Sequence, residues 1–280
     1  MAKAVVFGYH DVGVRCLRAL LDAGVDVPLV VTHHDDPRER IWFASVVELA
    51  RSKRLDTVLD PETAALGERI RRLAPDFIFS FYYRRMLPAE MLAVARCGAY
   101  NMHGSLLPKY RGRAPVNWAV LHGEAQTGAT LHEMVAKPDA GRIVDQQAVP
   151  IGEDDTAADV FRRVAEAAET VMRRSIGPLV AGTAPLRPND IASGSYYGAR
   201  RPEDGRIDWS KSAREIHNLV RAVAPPYPGA FCDRLMVYRT RITDRAATGT
   251  KPGPFRDAGE WFALCGDGKV LRLLEIEERK

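Results

Sequence analysis

The chain has 280 residues, of which 46% are hydrophobic and 27% are charged, the composition of a globular protein with a substantial core. This balance excludes a disordered, collagen-like or coiled-coil chain, and no apolar run approaches the ~20 residues of a membrane-spanning helix. The net charge of +4 is unevenly placed, because residues 1–204 contain 26 basic and 26 acidic side chains and residues 205–280 contain 14 and 10. An excess of four positive charges in residues 205–280 suits the binding of a nucleotide phosphate but is small for a surface that binds nucleic acid.

The N-terminus predicts a first strand, since a single Lys3 precedes five apolar residues and no small-residue cleavage site follows a longer apolar stretch. We therefore expect a cytoplasmic protein without a membrane segment. The four cysteines form no CxxC pair and have no histidine at ligand spacing, so we expect neither a disulfide framework nor a metal site.

The first 180 residues alternate β-rich runs with helical patterns. We predict strands at 3–7, 27–32, 57–59, 77–81 and 98–102, and helices at 12–23, 41–53, 61–73 and 88–95. Strands that alternate with helices of about 10–15 residues are typical of parallel βαβ units. The pattern predicts an α/β fold with a doubly wound, mostly parallel sheet.

The rest of the chain predicts a smaller β-rich part. A helix at 116–122, β segments at 127–134 and 143–150, and a long helix at 156–179 complete the first part. After a stretch rich in Gly, Pro and Ser come a helix at 213–222 and strand-like runs at 230–241, 261–265 and 270–276. We therefore predict a catalytic domain at 1–185, a linker at 186–206 and a small barrel-like domain at 207–280.

The segment 99–113, AYNMHGSLLPKYRGR, begins as a strand and then loses its periodicity while it gathers polar and cationic residues. Asn101 and His103 are two residues apart, so they share one face if the strand reaches them, and Gly104 permits close approach of a substrate. A neutral imidazole can accept and return a proton, and a carboxamide can donate to an oxyanion. A strand-end Asn and a turn His remain the alternative.

A second polar cluster, VAKPDAG at 135–141, also interrupts a β pattern. A turn at Asp139 would present its carboxylate, and a carboxylate beside an imidazole orients the ring and favours its charged form. An ordinary turn residue is the alternative, and sequence separation alone does not bring Asp139 to His103.

The string NMHGSLLPKYRGRAPVNWA, together with the later DAG, resembles the folate-dependent formyltransferase family. This family includes methionyl-tRNA formyltransferases, glycinamide ribonucleotide transformylases and sugar-nucleotide formyltransferases. Four further segments, FGYHDVG, THHDDP, SFYYRRML and RAVAPPYPGAF, are similar to UDP-4-amino-4-deoxy-L-arabinose formyltransferases of the ArnA type. The resemblance covers essentially residues 1–270 and implies a Rossmann-like catalytic domain that binds 10-formyltetrahydrofolate as co-substrate, without a metal.

The resemblance also implies residue roles. Asn101 corresponds to the family's oxyanion-stabilising Asn, His103 to its proton-transfer His, and Asp139 to the Asp that supports that His. The positions that hold the folate in these relatives are Arg85, Met86, Leu87, Arg113, Val135, Ala136, Lys137, Pro138 and Asp139. For a nucleotide-sugar substrate we predict contacts from His10, Tyr82, Ser105, Arg111, Arg201, Tyr227 and Phe231. The two arginines would act as phosphate or carboxylate clamps, with solvated surface arginines as the alternative. Tyr227 and Phe231 would stack on a uracil ring, with packing of the proline-rich turn as the alternative.

Two features depart from the relatives that the sequence resembles. Arg85 stands where they have a His. The bifunctional members carry an NAD-dependent decarboxylase domain after the formyltransferase, whereas this sequence ends at Lys280. A free-standing enzyme, with or without a separate decarboxylase partner, and a cut domain both remain open. The glycines at 8 and 13 do not have the GxGxxG spacing of a dinucleotide site.

We therefore predict an N-formyltransferase that acts on the 4-amino group of UDP-4-amino-4-deoxy-L-arabinose, a reaction that in the family serves lipid A modification and polymyxin resistance. The alternatives are a methionyl-tRNA formyltransferase and an enzyme for another nucleotide-linked amino sugar. A folate-binding scaffold without activity is disfavoured by the intact Asn101, His103 and Asp139. The balanced charge of residues 1–204 argues against tRNA, so we expect no nucleic-acid partner. The oligomeric state stays open.

Overall fold

The computed structural model describes residues 1–37, 39–233, 235–246 and 250–278. They form two compact units. The first comprises Met1–Gly112, Gly128–Val149 and Arg163–Tyr196, and the second comprises Arg113–Thr127, Pro150–Arg162 and Tyr197–Lys280. The domain boundaries at 185 and 207 that the sequence suggests remain a proposal.

The elements follow one another along the chain. The strands are β1 (Lys3–Gly8), β2 (Asp26–Thr32), β3 (Thr57–Leu59), β4 (Phe77–Phe81), β5 (Gly98–His103), β6 (Arg111–Gly112), β7 (Gln126–Glu133), β8 (Ile143–Pro150), β9 (Tyr196–Tyr197), β10 (Ala230–Cys232), β11 (Leu235–Thr243), β12 (Gly253–Asp257), β13 (Glu260–Leu264) and β14 (Val270–Glu278). The helices are α1 (His10–Asp22), α2 (Val46–Ser52), α3 (Thr63–Leu73), α4 (Ala89–Leu92), α5 (Pro115–Leu121), α6 (Ala157–Val180) and α7 (Ala213–Val223). Within the described parts of the chain, none of these helices is long and apolar enough to cross a membrane.

A seven-stranded sheet in the order β3-β2-β1-β4-β5-β7-β8 organises the first unit. Strands β1 to β5 pair in parallel, and β7 runs antiparallel to β5. Every residue of β4, FIFSF, is buried, as expected of a central parallel strand with both faces covered. The predicted mostly parallel α/β fold is confirmed.

The second unit contains a five-stranded antiparallel sheet in the order β10-β11-β14-β13-β12. Helix α7 packs on it, and its Ile216 and Val220 share a buried cluster with Val237 and Leu271. Ser212 begins this helix with a capping box, since its hydroxyl accepts from the Glu215 N–H while the Glu215 carboxylate accepts from the Ser212 N–H. The predicted C-terminal β-rich part is confirmed.

Two predicted elements had wrong bounds, and strand β12 was not predicted. The helix predicted at 41–53 begins only at Val46, because Ser45 caps it and the aromatic residues before it serve a tertiary contact described below. The single strand predicted at 230–241 is two strands, the first ending before Asp233, whose φ is +41°. Strand β12 was missed because its Gly-Pro start predicts a turn, but it lies at the sheet edge, where a proline is tolerated.

Candidate active site

Asn101 and His103 lie on β5, whose carboxyl end belongs to the edge of the parallel sheet where ligands bind in such folds. The loop 104–110 that follows is held by internal hydrogen bonds. The Ser105 hydroxyl donates to the Lys109 carbonyl at 2.6 Å, and the Thr130 hydroxyl donates to the Ser105 carbonyl at 2.6 Å. These bonds turn the chain back, so that the Tyr110 carbonyl reaches the His103 ring.

The His103 imidazole is held between two acceptors. Its Nε2 lies 2.8 Å from the Tyr110 carbonyl oxygen, and because a carbonyl only accepts, Nε2 carries a proton. Its Nδ1 lies 3.6 Å from Oδ1 of Asp139. Only 6% of His103 is exposed. The nitrogen left for proton exchange is therefore Nδ1, beside a carboxylate that favours a proton there.

The Asp139 carboxylate is a centre of contacts. Its Oδ2 accepts the Gly112 N–H at 2.9 Å, while its Oδ1 lies 3.5 Å from Nδ2 of Asn101 and 3.4 Å from Nε2 of His132. Burial by itself raises the pKa of Asp139, but a positive charge on His103 and the Gly112 N–H outweigh burial and hold the pKa well below its usual range. Asp139 is therefore an ionised group at neutral pH.

His132 was not singled out from the sequence. It pairs directly with Asn101 across the antiparallel β5 and β7 strands. Its Nδ1 donates to the Glu133 carbonyl at 2.7 Å, so its Nε2 is free of a proton and accepts from Nδ2 of Asn101 at 3.2 Å. This contact sets which way the Asn101 carboxamide faces. The only signal in the sequence is a histidine within a predicted β segment, 127–134.

The backbone of Asp139 adopts a φ of +50°, which is uncommon for a residue with a side chain. The Asn189 side chain donates from Nδ2 to the Asp139 carbonyl at 3.0 Å and to the Gly141 carbonyl at 3.1 Å. Gly141 is needed here, since a Cβ at this position would lie 2.0 Å from the Glu133 carbonyl oxygen. Asn189 was also missed, because it lies in the segment predicted to be a linker.

His10 and Tyr82, two predicted substrate contacts, lie in an aromatic cluster. The His10 ring stacks on Phe43, with centroids 3.8 Å apart, and meets the edge of Trp42 at 4.8 Å and the ring of Tyr82 at 6.4 Å. Burial, and to a smaller extent the charge of Arg84, lowers the pKa of His10 to about 3. His10 is therefore neutral at physiological pH.

The segment 85–87, predicted to hold folate, is anchored by a buried histidine. Nε2 of His33 accepts the Arg84 N–H at 3.1 Å, and its Nδ1 lies 2.8 Å from Oδ1 of Asp60. The Arg85 guanidinium also binds that oxygen at 2.8 Å. Arg85 thus joins the ionic network at the base of its own loop. Met86 is 64% exposed.

The other predicted folate segment is 135–139 in loop 134–142. Val135 is 43% exposed, Ala136 and Lys137 are exposed, and Pro138 is half-buried. Leu87 and Met134, at the bases of the two loops, pack against the same hydrophobic cluster. Both loops therefore present apolar side chains to solvent from a shared base.

The structure gives the remaining predicted residues varied surroundings. In the first unit, Ser105 is fully buried, and the buried Arg111 donates from Nη2 to the Ile191 carbonyl at 3.5 Å. The second unit holds the other four, of which Arg113 and Arg201 are exposed. Burial raises the pKa of Tyr227 to about 12, although a hydrogen bond with Asn117 opposes this shift. The centroid of the Phe231 ring lies 5.0 Å from the guanidinium carbon of Arg206. Substrate or folate contacts of these residues remain proposals.

The geometry brings Asn101, His103 and Asp139 together with His132. It combines a carboxamide donor, an imidazole able to exchange a proton and an ionised carboxylate, which are groups suited to transfer of an acyl group through a tetrahedral oxyanion. In the described ranges, no three His, Cys, Asp or Glu side chains cluster in a way that could hold a metal ion.

Several solved structures share this fold. An N-formyltransferase from Helicobacter canadensis, in complex with folinic acid and dTDP-3-aminofucose, is 22% identical, with a TM-score of 0.79 over 98% of this chain and 99% of that chain. The sugar 3N-formyltransferase WlaRD, studied with dTDP and 5-N-formyl-THF, is 19% identical, with a TM-score of 0.77 over 98% and 97%. Glycinamide ribonucleotide transformylase 1 from Symbiobacterium toebii is 27% identical, with a TM-score of 0.58 over 68% and 95%.

Two family profiles cover most of the sequence. The profile described as Formyl transferase matches residues 2–176, and the profile of the formyl transferase C-terminal domain matches residues 200–280. The first match spans more than half of the chain and includes Asn101, His103 and Asp139. The chain therefore belongs to the formyltransferase family.

Proposed function

We propose that this enzyme moves a formyl group from 10-formyltetrahydrofolate to the amino group of a nucleotide-linked amino sugar, and more narrowly to the 4-amino group of UDP-4-amino-4-deoxy-L-arabinose. The observation that carries the proposal is the contact of Asp139 with both His103 and Asn101. The reaction forms a bond from the sugar nitrogen to the formyl carbon and breaks the bond from that carbon to folate N10. One amine proton must reach N10.

His103 supports this proton transfer. Its Nε2–H is committed to the Tyr110 carbonyl, so proton exchange takes place at Nδ1. Asp139, ionised at neutral pH, faces Nδ1 and stabilises the imidazolium that forms when the ring accepts the amine proton. The imidazolium then returns the proton to the leaving nitrogen. General acid–base help of this kind contributes about 10²–10⁴ in rate.

Asn101 supports the oxyanion. The carboxamide Nδ2 has two hydrogens, one directed at Nε2 of His132 at 3.2 Å and the other at Oδ1 of Asp139 at the longer distance of 3.5 Å. When substrate is bound, the longer contact would be exchanged for one to the oxygen of the formyl group, which gains charge during attack. One such donor typically changes kcat by about 10²–10³-fold, because it is aligned before the charge develops.

The loops at 85–87 and 135–139 fit a folate ring. Met86 and Val135 expose apolar side chains that the core does not use, and the two loops share a hydrophobic base. Apolar walls with backbone polar groups between them suit a flat heterocycle that needs both stacking and hydrogen bonds. These residues would hold the co-substrate, which supplies the activated formyl group.

The substrate class rests on the relatives and on the sequence. The two similar sugar formyltransferases were crystallised with a dTDP-linked 3-amino sugar or with dTDP. The segments FGYHDVG, SFYYRRML and RAVAPPYPGAF instead favour the UDP-linked 4-amino sugar. A dTDP-linked 3-amino sugar is therefore the second candidate substrate.

A substrate panel tests the proposal. The chain is incubated with 10-formyltetrahydrofolate and, in separate reactions, with UDP-4-amino-4-deoxy-L-arabinose, a dTDP-linked 4-amino sugar, a dTDP-linked 3-amino sugar and methionyl-tRNA. We expect the highest kcat/KM for the UDP sugar, and for His103→Ala a kcat/KM lower by about 10²-fold or more. Preference for a dTDP sugar would refute the narrower assignment, and preference for methionyl-tRNA would refute the amino-sugar class.

A further inference from the structure

Residues 187–196, which we call the strap, follow helix α6 and contact both loops that shape the candidate site. At its start, the Arg187 N–H and carbonyl exchange hydrogen bonds with Ile143, each at 2.8 Å. Asn189 then binds loop 134–142, and Ser195 binds loop 104–110 at Tyr110. A segment with the composition of a linker is thus attached through Arg187, Asn189 and Ser195, among other contacts, to the unit that holds the site.

The attachment through Asn189 holds Asp139. A positive φ at a residue with a side chain is strained and persists only when the surroundings hold it. Asn189 donates both Nδ2 hydrogens to this loop, to the carbonyls of Asp139 and Gly141. The orientation of its amide is unambiguous, since the opposite one would place Oδ1 against two carbonyl oxygens. Asn189 thereby stabilises the conformation that aims the carboxylate at His103.

The attachment through Ser195 holds the Tyr110 carbonyl, which accepts from the His103 ring. The Ser195 hydroxyl oxygen accepts the Tyr110 N–H at 2.9 Å, and the Ser195 carbonyl accepts the Arg111 N–H at 3.0 Å. Tyr110 also has a positive φ, of +57°. Next to Ser195, a Cβ on Gly194 would lie 2.2 Å from the Pro108 carbonyl oxygen, so only glycine allows this approach. The strap therefore sets the place of the Tyr110 carbonyl.

We infer that the strap positions the proton-transfer pair, with Asn189 and Ser195 as positioning residues for formyl transfer. Ser195 acts through Tyr110 on the Nε2 side of His103, and Asn189 acts through Asp139 on the Nδ1 side. The two ends of one imidazole are thus set by residues six positions apart on one segment. This inference rests on the proposed function for its kinetic consequence, and on the contacts alone for its structural one.

Asn189→Ala and Ser195→Ala test the kinetic consequence. Ser193→Ala is the matched control, because Ser193 lies on the same strap but its exposed hydroxyl donates only to the Asp190 carbonyl among the described residues. A misplacement of about 1 Å in a reacting group costs up to about 10²-fold. We expect Asn189→Ala to lower kcat about 10–100-fold, Ser195→Ala to lower it less, and both KM values to change less than about twofold. An unchanged kcat in both variants would overturn the inference.

A double-mutant cycle separates positioning from general stability. If Asn189 acts through Asp139, Asn189→Ala should reduce kcat little further once Asp139→Asn is present. Equal losses in both backgrounds would show that Asn189 does not act through Asp139, which contradicts the inference. Thermal unfolding of each variant identifies any that fail to fold, and Ser195→Ala then remains as the second test.

An activity-independent measurement keeps this inference separate from the proposed function. The Gly112 N–H donates to Oδ2 of Asp139, so its hydrogen exchange reports where the carboxylate lies. We expect Asn189→Ala to speed Gly112 exchange by about tenfold or more and Ser193→Ala to leave it unchanged. Unchanged Gly112 exchange in Asn189→Ala would overturn the inference, even for a wild type that formylates none of the panel. If the wild type formylates none of the panel but Gly112 exchanges faster in Asn189→Ala, only the proposed function is refuted.

Discussion

Nδ1 of His103 and Oδ1 of Asp139 lie 3.6 Å apart, although the two residues are far apart in the sequence. His103 ends a parallel strand, while Asp139 lies in a loop that returns from an antiparallel one. The contact orders the imidazole and places a negative charge where a proton must arrive. The predicted effects of substitution follow from this relationship.

Replacing His103 with Ala should lower kcat by about 10²-fold or more, because proton transfer is needed only in the transition state. The KM for the amino sugar should change little. His34→Ala is the control, since the His34 side chain is exposed and only its backbone N–H binds Asp60. Steady-state kinetics with both substrates measure the effect. Wild-type turnover in His103→Ala would show that another group moves the proton.

His132→Phe should lower kcat about tenfold with little change in KM, because Asn101 loses the acceptor that orients its amide. His132→Gln offers an oxygen acceptor and should recover part of the loss. Asn101→Ala should lose more than either, since it removes the oxyanion donor itself. A His132→Phe enzyme as active as the wild type would mean that Asn101 is oriented by other contacts.

His33→Phe should raise the KM for 10-formyltetrahydrofolate several-fold and leave kcat nearly unchanged. A Phe ring keeps the stacking on Tyr83, which lies 4.1 Å away, but neither accepts the Arg84 N–H nor binds Asp60. The segment 85–87 then loses its anchor. Folate KM and a direct binding isotherm measure the effect, and an unchanged affinity would argue against folate binding by this segment.

The buried His10 should make the protein sensitive to acid. Its pKa is lowered to about 3 by burial, so the unfolded chain binds a proton more readily than the folded one. The contribution of neutral His10 to the free energy of unfolding is complete above pH 6.5, the ordinary pKa of histidine, and is lost as the pH falls from there towards 3. Relative to His10→Phe, wild-type unfolding temperature should therefore fall between pH 6.5 and 4. A constant difference across that interval would mean that His10 titrates normally.

Much of the fold could be predicted, because buried strands are apolar runs between turn residues. The strands at 57–59, 77–81 and 143–150 have the predicted bounds. The predicted helix start at residue 41 was wrong, because an apolar period occurs there without a helix. Trp42 and Phe43 continue an apolar period, but their rings contact His10, and period alone does not reveal which surface an apolar side chain meets.

The sequence alone predicted the formyltransferase class of this protein, because the contiguous motif NMHGSLLPKYRGRAP resembles that family, and it predicted that Asn101 and His103 share a strand face. Tertiary structure decided the rest of the site. His132 meets Asn101 only through antiparallel pairing, and Asn189 meets Asp139 only because the strap crosses its loop. Such contacts depend on strand register and loop path, which local propensity does not encode, since they join residues far apart in the chain.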